Sequence, residues 1–151
     1  MRVWRICLRR FRSFDGEGAR HYGGRWNLAG TLIVYTSGSL SLAALDLFVH
    51  VDIELAPTRL VAIAADIPVE LETERVDVGK LPRNWRTYPA PEALKNLGTA
   101  WAARRATAIL AVPSVVIPEE HNYLLNPGHP DFSDIRVHTP ISFRFDPRMW
   151  K

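Results

Sequence analysis

Apolar and polar positions change period several times along this chain, and the changes predict more strands than helices. Val3 to Leu8 sets apolar residues between arginines and reads as a strand. Thr31 to Thr36 (TLIVYT) is β-branched and aromatic, the composition of a buried strand. Arg59 to Ile67 is another, stopped by Pro68. Thr107 to Ile117 resembles a strand pair broken at Pro113, and Ile135 to His138 and Ile141 to Phe145 follow a turn-rich stretch at Leu125 to Asp131. Helical spacing occurs twice. From Ser39 to about Ile53, Leu40, Ala44, Leu47, Phe48 and Val51 fall on one stripe behind a serine suited to N-capping. Pro91 to Arg105 opens with proline near its first turn and closes on two arginines at its negative end. Phe14 to Asn27, with four glycines, reads as irregular, and Leu71 to Tyr88 as polar loops with a turn at Leu81 to Trp85. No βαβ alternation appears, so the expected fold is α+β with a mixed, mostly antiparallel sheet and a few helices.

The 151 residues suit one core, and no repeat, low-complexity tract or linker divides residues 1–151, so a single domain is expected. Hydrophobic residues at 47% against 23% charged residues exclude a disordered chain. Cys7 is the only cysteine, which excludes an internal disulfide and suits a reducing compartment. Arginines interrupt every apolar stretch near the N-terminus, and no apolar run elsewhere is long enough to span a bilayer. A cytoplasmic protein without a membrane partner is the expectation. The net charge of +3 is carried almost wholly by arginine, with lysine only at Lys80, Lys95 and Lys151. Arginine grips phosphates and carboxylates bidentately, which points to an anionic ligand. A GC-rich genome yields the same composition.

The common nucleotide motifs are missing: no GxGxxG follows a strand and no GxxxxGK[ST] occurs. His21, His50, His121, His129 and His138 form no HExxH or Cys–His pattern, so no metal is expected. Neither Cys7 nor Ser114 lies in a nucleophile elbow. Three places still carry chemistry. In Gly23-Gly24-Arg25-Trp26-Asn27, two glycines permit close backbone approach beside an arginine and an indole, which suits a pyrophosphate next to a flat base. A glycine turn with an exposed arginine has the same pattern. Asp46 is the only carboxylate between Leu40 and Val51, where burial would demand a partner or a function, although with Ser39 and His50 it also fits a solvated face. Ser114 ends an apolar strand that leads to a polar cluster at His121-Asn122-Tyr123, and Tyr35 sits inside a buried strand; both have ordinary structural readings.

Taken in order, these segments resemble the RES-domain family, toxins paired with Xre-type antitoxins. The resemblance runs through Val3-Trp4-Arg5, Gly16-Glu17-Gly18-Ala19-Arg20, Gly23-Gly24-Arg25-Trp26-Asn27 and Val34-Tyr35-Thr36-Ser37. It continues through Ser39-Leu40-Ser41-Leu42-Ala43, Val112-Pro113-Ser114, Asn122-Tyr123-Leu124-Leu125-Asn126-Pro127 and Phe145-Asp146-Pro147-Arg148, nearly the whole chain. The family is named for an arginine, a glutamate and a serine. Matched by motif, the arginine is Arg25 and the serine Ser114, and Tyr35 takes the place of the tyrosine of the nucleotide pocket. The glutamate of the Leu-Ala-x-Leu-Glu helix motif is replaced by Asp46, one methylene shorter.

The resemblance implies a fold similar to ADP-ribosyltransferase toxins, with NAD as substrate and no metal. It implies that Asp46 holds a ribose hydroxyl and faces the developing charge, that Arg25 clamps the pyrophosphate, and that Tyr35 lines the nicotinamide. Ser114 and Asn122 would bond ribose or the nicotinamide amide. It also implies an Xre-type antitoxin that blocks the pocket, and homodimers. The acceptor stays open: water gives a glycohydrolase, phosphate a phosphorylase, and a protein side chain an ADP-ribosyltransferase. NAD degradation is the expected outcome and protein modification the alternative. Two non-enzymatic classes complete the field. Arg2, Arg5, Arg9, Arg10 and Arg12 would track phosphates in a nucleic-acid binder, but they alternate along a strand and no nucleic-acid motif accompanies them, so no nucleic-acid partner is expected. A pseudoenzyme whose Asp46 marks lost catalysis is the other.

Overall fold

A computed structural model describes residues 1–51 and 58–150 and builds them around an eight-stranded sheet. The strands are β1 (Arg2–Leu8), β2 (Val34–Ser37), β3 (Leu60–Asp66), β4 (Thr73–Arg75), β5 (Ile109–Pro113), β6 (His121–Leu125), β7 (Arg136–Val137) and β8 (Ile141–Phe143). Their order is β4-β5-β6-β2-β1-β3-β7, and β8 also pairs with β3. Only the β4–β5 pair is parallel among the described strands. With three helices, α1 (Glu17–Tyr22), α2 (Leu40–Phe48) and α3 (Glu92–Arg104), this is the expected α+β class with a mixed, mostly antiparallel sheet.

Two strands paired on both edges, one toward each side of the sheet, carry the most apolar sequences. Along β5 every residue is buried, and along β3 every residue from Leu60 to Ala65, because both faces of the sheet are covered there. On one face Leu110, Val112, Leu124 and Tyr35 pack with Leu94 and Trp101 of α3 and with Trp26. On the other, Val3, Val34, Ile109 and Leu125 meet Ile135, Phe132 and Phe14. Helix α2 rests on Trp4 and Leu8 of β1 and is backed by Phe143, Phe145 and Trp150.

Several elements depart from the sequence pattern, each for a local reason. The glycine-rich stretch expected to be irregular contains α1, because Gly16 and Gly23 take positive φ just outside it and leave the interior helical. The strand expected at Thr31–Thr36 begins only at Val34 and runs to Ser37. Helix α2 ends at Phe48, where the Val49, His50 and Val51 amides close short turns; Ile53 lies outside the described residues. Beyond Pro113 the expected second strand is a turn, because the Ser114 hydroxyl accepts the Val116 and Ile117 amides, each at 3.1 Å. Two strands were hidden by polarity: β4 within the presumed loop, and β6 within the polar cluster, where pairing to β5 and β2 overrides composition.

Gly98, within α3, is fixed by packing. A Cβ there would stand 1.8 Å from the Trp26 carbonyl oxygen, so only glycine lets the helix lie against the Gly23–Asn27 loop.

Candidate active site

One end of the sheet gathers polar side chains from four elements around Asp46. The last residue of β2, Ser37, is the direct cross-strand partner of Asn122 in β6, and Ser114 follows β5. Ser39 caps α2 by accepting the Leu42 amide at 3.1 Å, which sets the helix that aims Asp46 at this trio. Asp46 Oδ2 accepts from Asn122 Nδ2 at 2.7 Å and from the Ser37 hydroxyl at 3.0 Å. Among the described residues its Oδ1 accepts only from the fully buried Ser114 hydroxyl, at 3.4 Å. The carboxylate is therefore a partnered group at the head of the sheet and not part of a solvated helix face.

Arg25 arrives on a loop locked from below. The Asn27 side chain, 0% exposed, donates to the carbonyls of Ala19 and Leu28, and Trp26 is 3% exposed in the core. Trp26 thus anchors the loop from the core and also contributes to the wall of a cavity beside Asp46. Tyr35 OH donates to Asn27 Oδ1 at 2.6 Å and accepts the Trp26 amide at 3.0 Å. Gly24 passes so close that a Cβ would stand 2.7 Å from that hydroxyl. Burial pushes the Tyr35 phenol far above its ordinary pKa, so it stays neutral. Arg25 donates from Nη1 to the carbonyls of Trp85 and Thr87, both at 3.0 Å, and ties in the 82–90 loop. Burial pulls its pKa below the usual arginine value, opposed by Tyr35 and Tyr88. A guanidinium keeps its charge even so.

These parts wall a cleft. A cavity of about 650 Å³ runs past Arg5, Cys7, Phe11, Tyr22, Arg25 and Tyr35. An adjoining one of about 330 Å³ shares Arg5, Arg25, Tyr35 and His50 and adds Ser37, Asp46 and Asn122. The larger space does not reach Asp46, whereas the smaller one is lined by the carboxylate and by its donors Ser37 and Asn122. Both volumes fall within the roughly 300–1,000 Å³ of small-molecule sites. A third space of about 500 Å³ opens between Arg25, His50, Arg86 and Tyr88.

The cleft thus collects Arg25, Tyr35, Asp46 and Asn122, with Ser114 bonded to Asp46 from beneath. Sequence reasoning missed two members. Arg5 lines both inner cavities, and its Nε is buried without a hydrogen-bond partner among the described residues. Its signal was present as a charge within an apolar strand, but the neighbouring arginines masked it. Ser37 was invisible because its role depends on the β2–β6 register. Among the described residues no cluster of histidine, cysteine, aspartate or glutamate is suited to hold a metal, and no helix is long and apolar enough to cross a membrane.

Residues 2–146 match the family model described as RES domain. A protein of Sphingobium sp. (strain YBL2) named Prs ADP-ribosylating toxin is 38% identical over 152 residues, covering 97% of this chain and 94% of its own length. A Toxin Res of Yersinia enterocolitica is 36% identical over 155 residues, covering 99% of each. Among solved structures, a chain of the M. tuberculosis MbcT-MbcA toxin-antitoxin complex superposes with a TM-score of 0.74 over 99% of this chain and 86% of its own. At 14% identity that likeness concerns the fold.

Proposed function

This chain belongs to the RES domain family, and we propose that it is the toxin of a toxin–antitoxin pair that cleaves the nicotinamide–ribose bond of NAD. The observation that carries the reading is the anchored Asp46 carboxylate in a cleft that also presents two arginines, one whose buried Nε has no partner among the described residues. A buried Nε without a partner is costly unless a ligand completes it, and the pyrophosphate of a dinucleotide offers the right acceptors.

In this reading Arg5 and Arg25 flank the pyrophosphate and Tyr35 lines the nicotinamide riboside. Nicotinamide in NAD is a cationic leaving group, so departure needs no strong acid. The C–N bond breaks, its electron pair goes to the ring nitrogen, and neutral nicotinamide leaves. Asp46 faces the positive charge growing on the ribose carbon, and its donors hold it there before the reaction begins. Water or phosphate then adds to that carbon and releases a proton. Ser114, which accepts two backbone amides, fixes the turn that closes this end of the cleft.

A cytoplasmic site follows from NAD as target. The remaining parts of the proposal are an Xre-type antitoxin that covers the cleft and self-association as a dimer. Transfer of ADP-ribose to a protein is the second reading, favoured by the 38%-identical relative's name. Induction of the chain in growing bacteria tests the main reading. Wild type should lower cellular NAD and stop growth, whereas Asp46→Ala should do neither. Growth arrest with undiminished NAD and a newly ADP-ribosylated protein would favour transfer.

A further inference from the structure

The role given to Asp46 raises a problem of reach, because its carboxylate is one methylene shorter than the family's glutamate. We propose that Ser37 and Asn122 are positioning residues that pin Asp46 Oδ2 and leave Oδ1 as the oxygen presented to the substrate. The proposal rests on the NAD-cleaving reading above.

The Asn122 amide nitrogen carries two hydrogens, and both are engaged. One goes to Asp46 Oδ2 at 2.7 Å and the other to Ser37 Oγ at 3.0 Å. Having accepted there, the Ser37 hydroxyl directs its single hydrogen to Asp46 Oδ2 at 3.0 Å. The three side chains close a ring of three hydrogen bonds that engages both Asn122 hydrogens and the Ser37 hydrogen. Oδ2 is held twice, while among the described residues Oδ1 has only the long 3.4 Å contact from Ser114. Ser114 in turn is fixed by the two amides that it accepts.

The ring is delivered by rigid structure. Ser37 and Asn122 are cross-strand partners in the β2–β6 ladder, and Asn122 also pairs with Val112 of β5. Both therefore project from a sheet held on two sides, and neither depends on a loop. An aspartate in open solvent turns its carboxylate freely; here rotation would cost two donors. Pre-set charge of this kind needs no reorganisation as the ribose becomes cationic. The pairing also suits the shorter side chain, since a glutamate at position 46 would carry its carboxylate past donors placed for aspartate. The family's own residue should thus work less well in this chain.

The test is steady-state NAD cleavage by purified full-length wild type, Ser37→Ala, Asn122→Asp and Asp46→Glu, with thermal unfolding of each. Asn122→Asp keeps the side-chain shape but removes both donor hydrogens. All three variants should lose about 10- to 100-fold in kcat, as misplaced catalytic groups do, with KM for NAD kept within about twofold. Asn122→Asp should also regain activity toward acid pH, where the introduced carboxyl is protonated and donates again. Unchanged kcat in folded Ser37→Ala and Asn122→Asp would overturn the proposal. So would a rise in KM alone, which would make Asn122 a substrate contact. Inert wild type would overturn the NAD-cleaving reading itself, and this role with it.

Discussion

The Tyr35 hydroxyl joins Asn27 Oδ1 at 2.6 Å and takes the Trp26 amide at 3.0 Å, so one phenol latches the loop that carries Arg25. Tyr35→Phe keeps the ring but leaves two buried polar groups without a partner. A loss of about 1–3 kcal/mol in unfolding free energy is expected, as for other orphaned buried groups. Denaturant unfolding checks the loss. NAD kinetics should show a higher KM as the Arg25 loop loosens. Because burial holds this phenol neutral, the latch should persist beyond the pH at which free tyrosine ionises.

Arg5 behaves differently, since its buried Nε has no hydrogen-bond partner to lose among the described residues. Arg5→Met removes the charge and an unsatisfied donor while keeping most of the apolar stem. Stability should hold or rise slightly, whereas the KM for NAD should rise by about tenfold or more through the lost charge-assisted bond. Equal loss of stability and affinity would show that Arg5 serves the fold alone.

Gly98 offers a purely steric test. The added methyl of Gly98→Ala would meet the Trp26 carbonyl oxygen at 1.8 Å, and a backbone atom cannot swing aside as a side-chain end can. Overpacking of this kind costs about 1–3 kcal/mol or more, which outweighs alanine's advantage in helix propensity of about 1 kcal/mol. A lower melting temperature and weakened NAD binding should appear together, because α3 and the Arg25 loop share the contact.

Remote from the cleft, Asp66 ties β1, β3 and the start of the β7–β8 turn. It accepts from Arg2 Nε at 2.7 Å and is joined to His138 Nε2 at 2.6 Å. Arg2 first, and then His138, hold its carboxyl well below the usual carboxylate range. A depressed acid contributes stability above its unfolded pKa of about 3.9 and loses it as pH falls through the folded value. Asp66→Asn should therefore melt lower than wild type at neutral pH. The gap should close progressively below about pH 4. A gap that stays constant through acid pH would remove the carboxylate's charge from the account.

The strands that could be read from the sequence were those whose burial makes them uniformly apolar, such as Leu60–Asp66 and Ile109–Pro113. His121–Leu125 escaped because its first half is polar, and what makes it a strand is pairing on both edges. The site divides in the same way. Arg25, Tyr35, Asp46, Ser114 and Asn122 stood out through ordered motifs and a family resemblance, and the fold brings them to one cleft end. Ser37 did not, since a serine at a strand end is ordinary until the register sets it opposite Asn122. Trp26 was legible as a residue but only partly as a role: the pattern suggested a ligand-side indole, and Trp26, which does line the smaller cavity, also packs with Leu94 and Trp101 in the core.

The most direct test of the central claim is nicotinamide release from NAD by purified, antitoxin-free protein, with and without phosphate, beside Asp46→Ala. The account predicts rapid release by wild type, with the ribosyl product's mass naming the acceptor, and loss of release in Asp46→Ala. Release that persists undiminished in Asp46→Ala, or well-folded wild type that leaves NAD intact in both buffers, would contradict it.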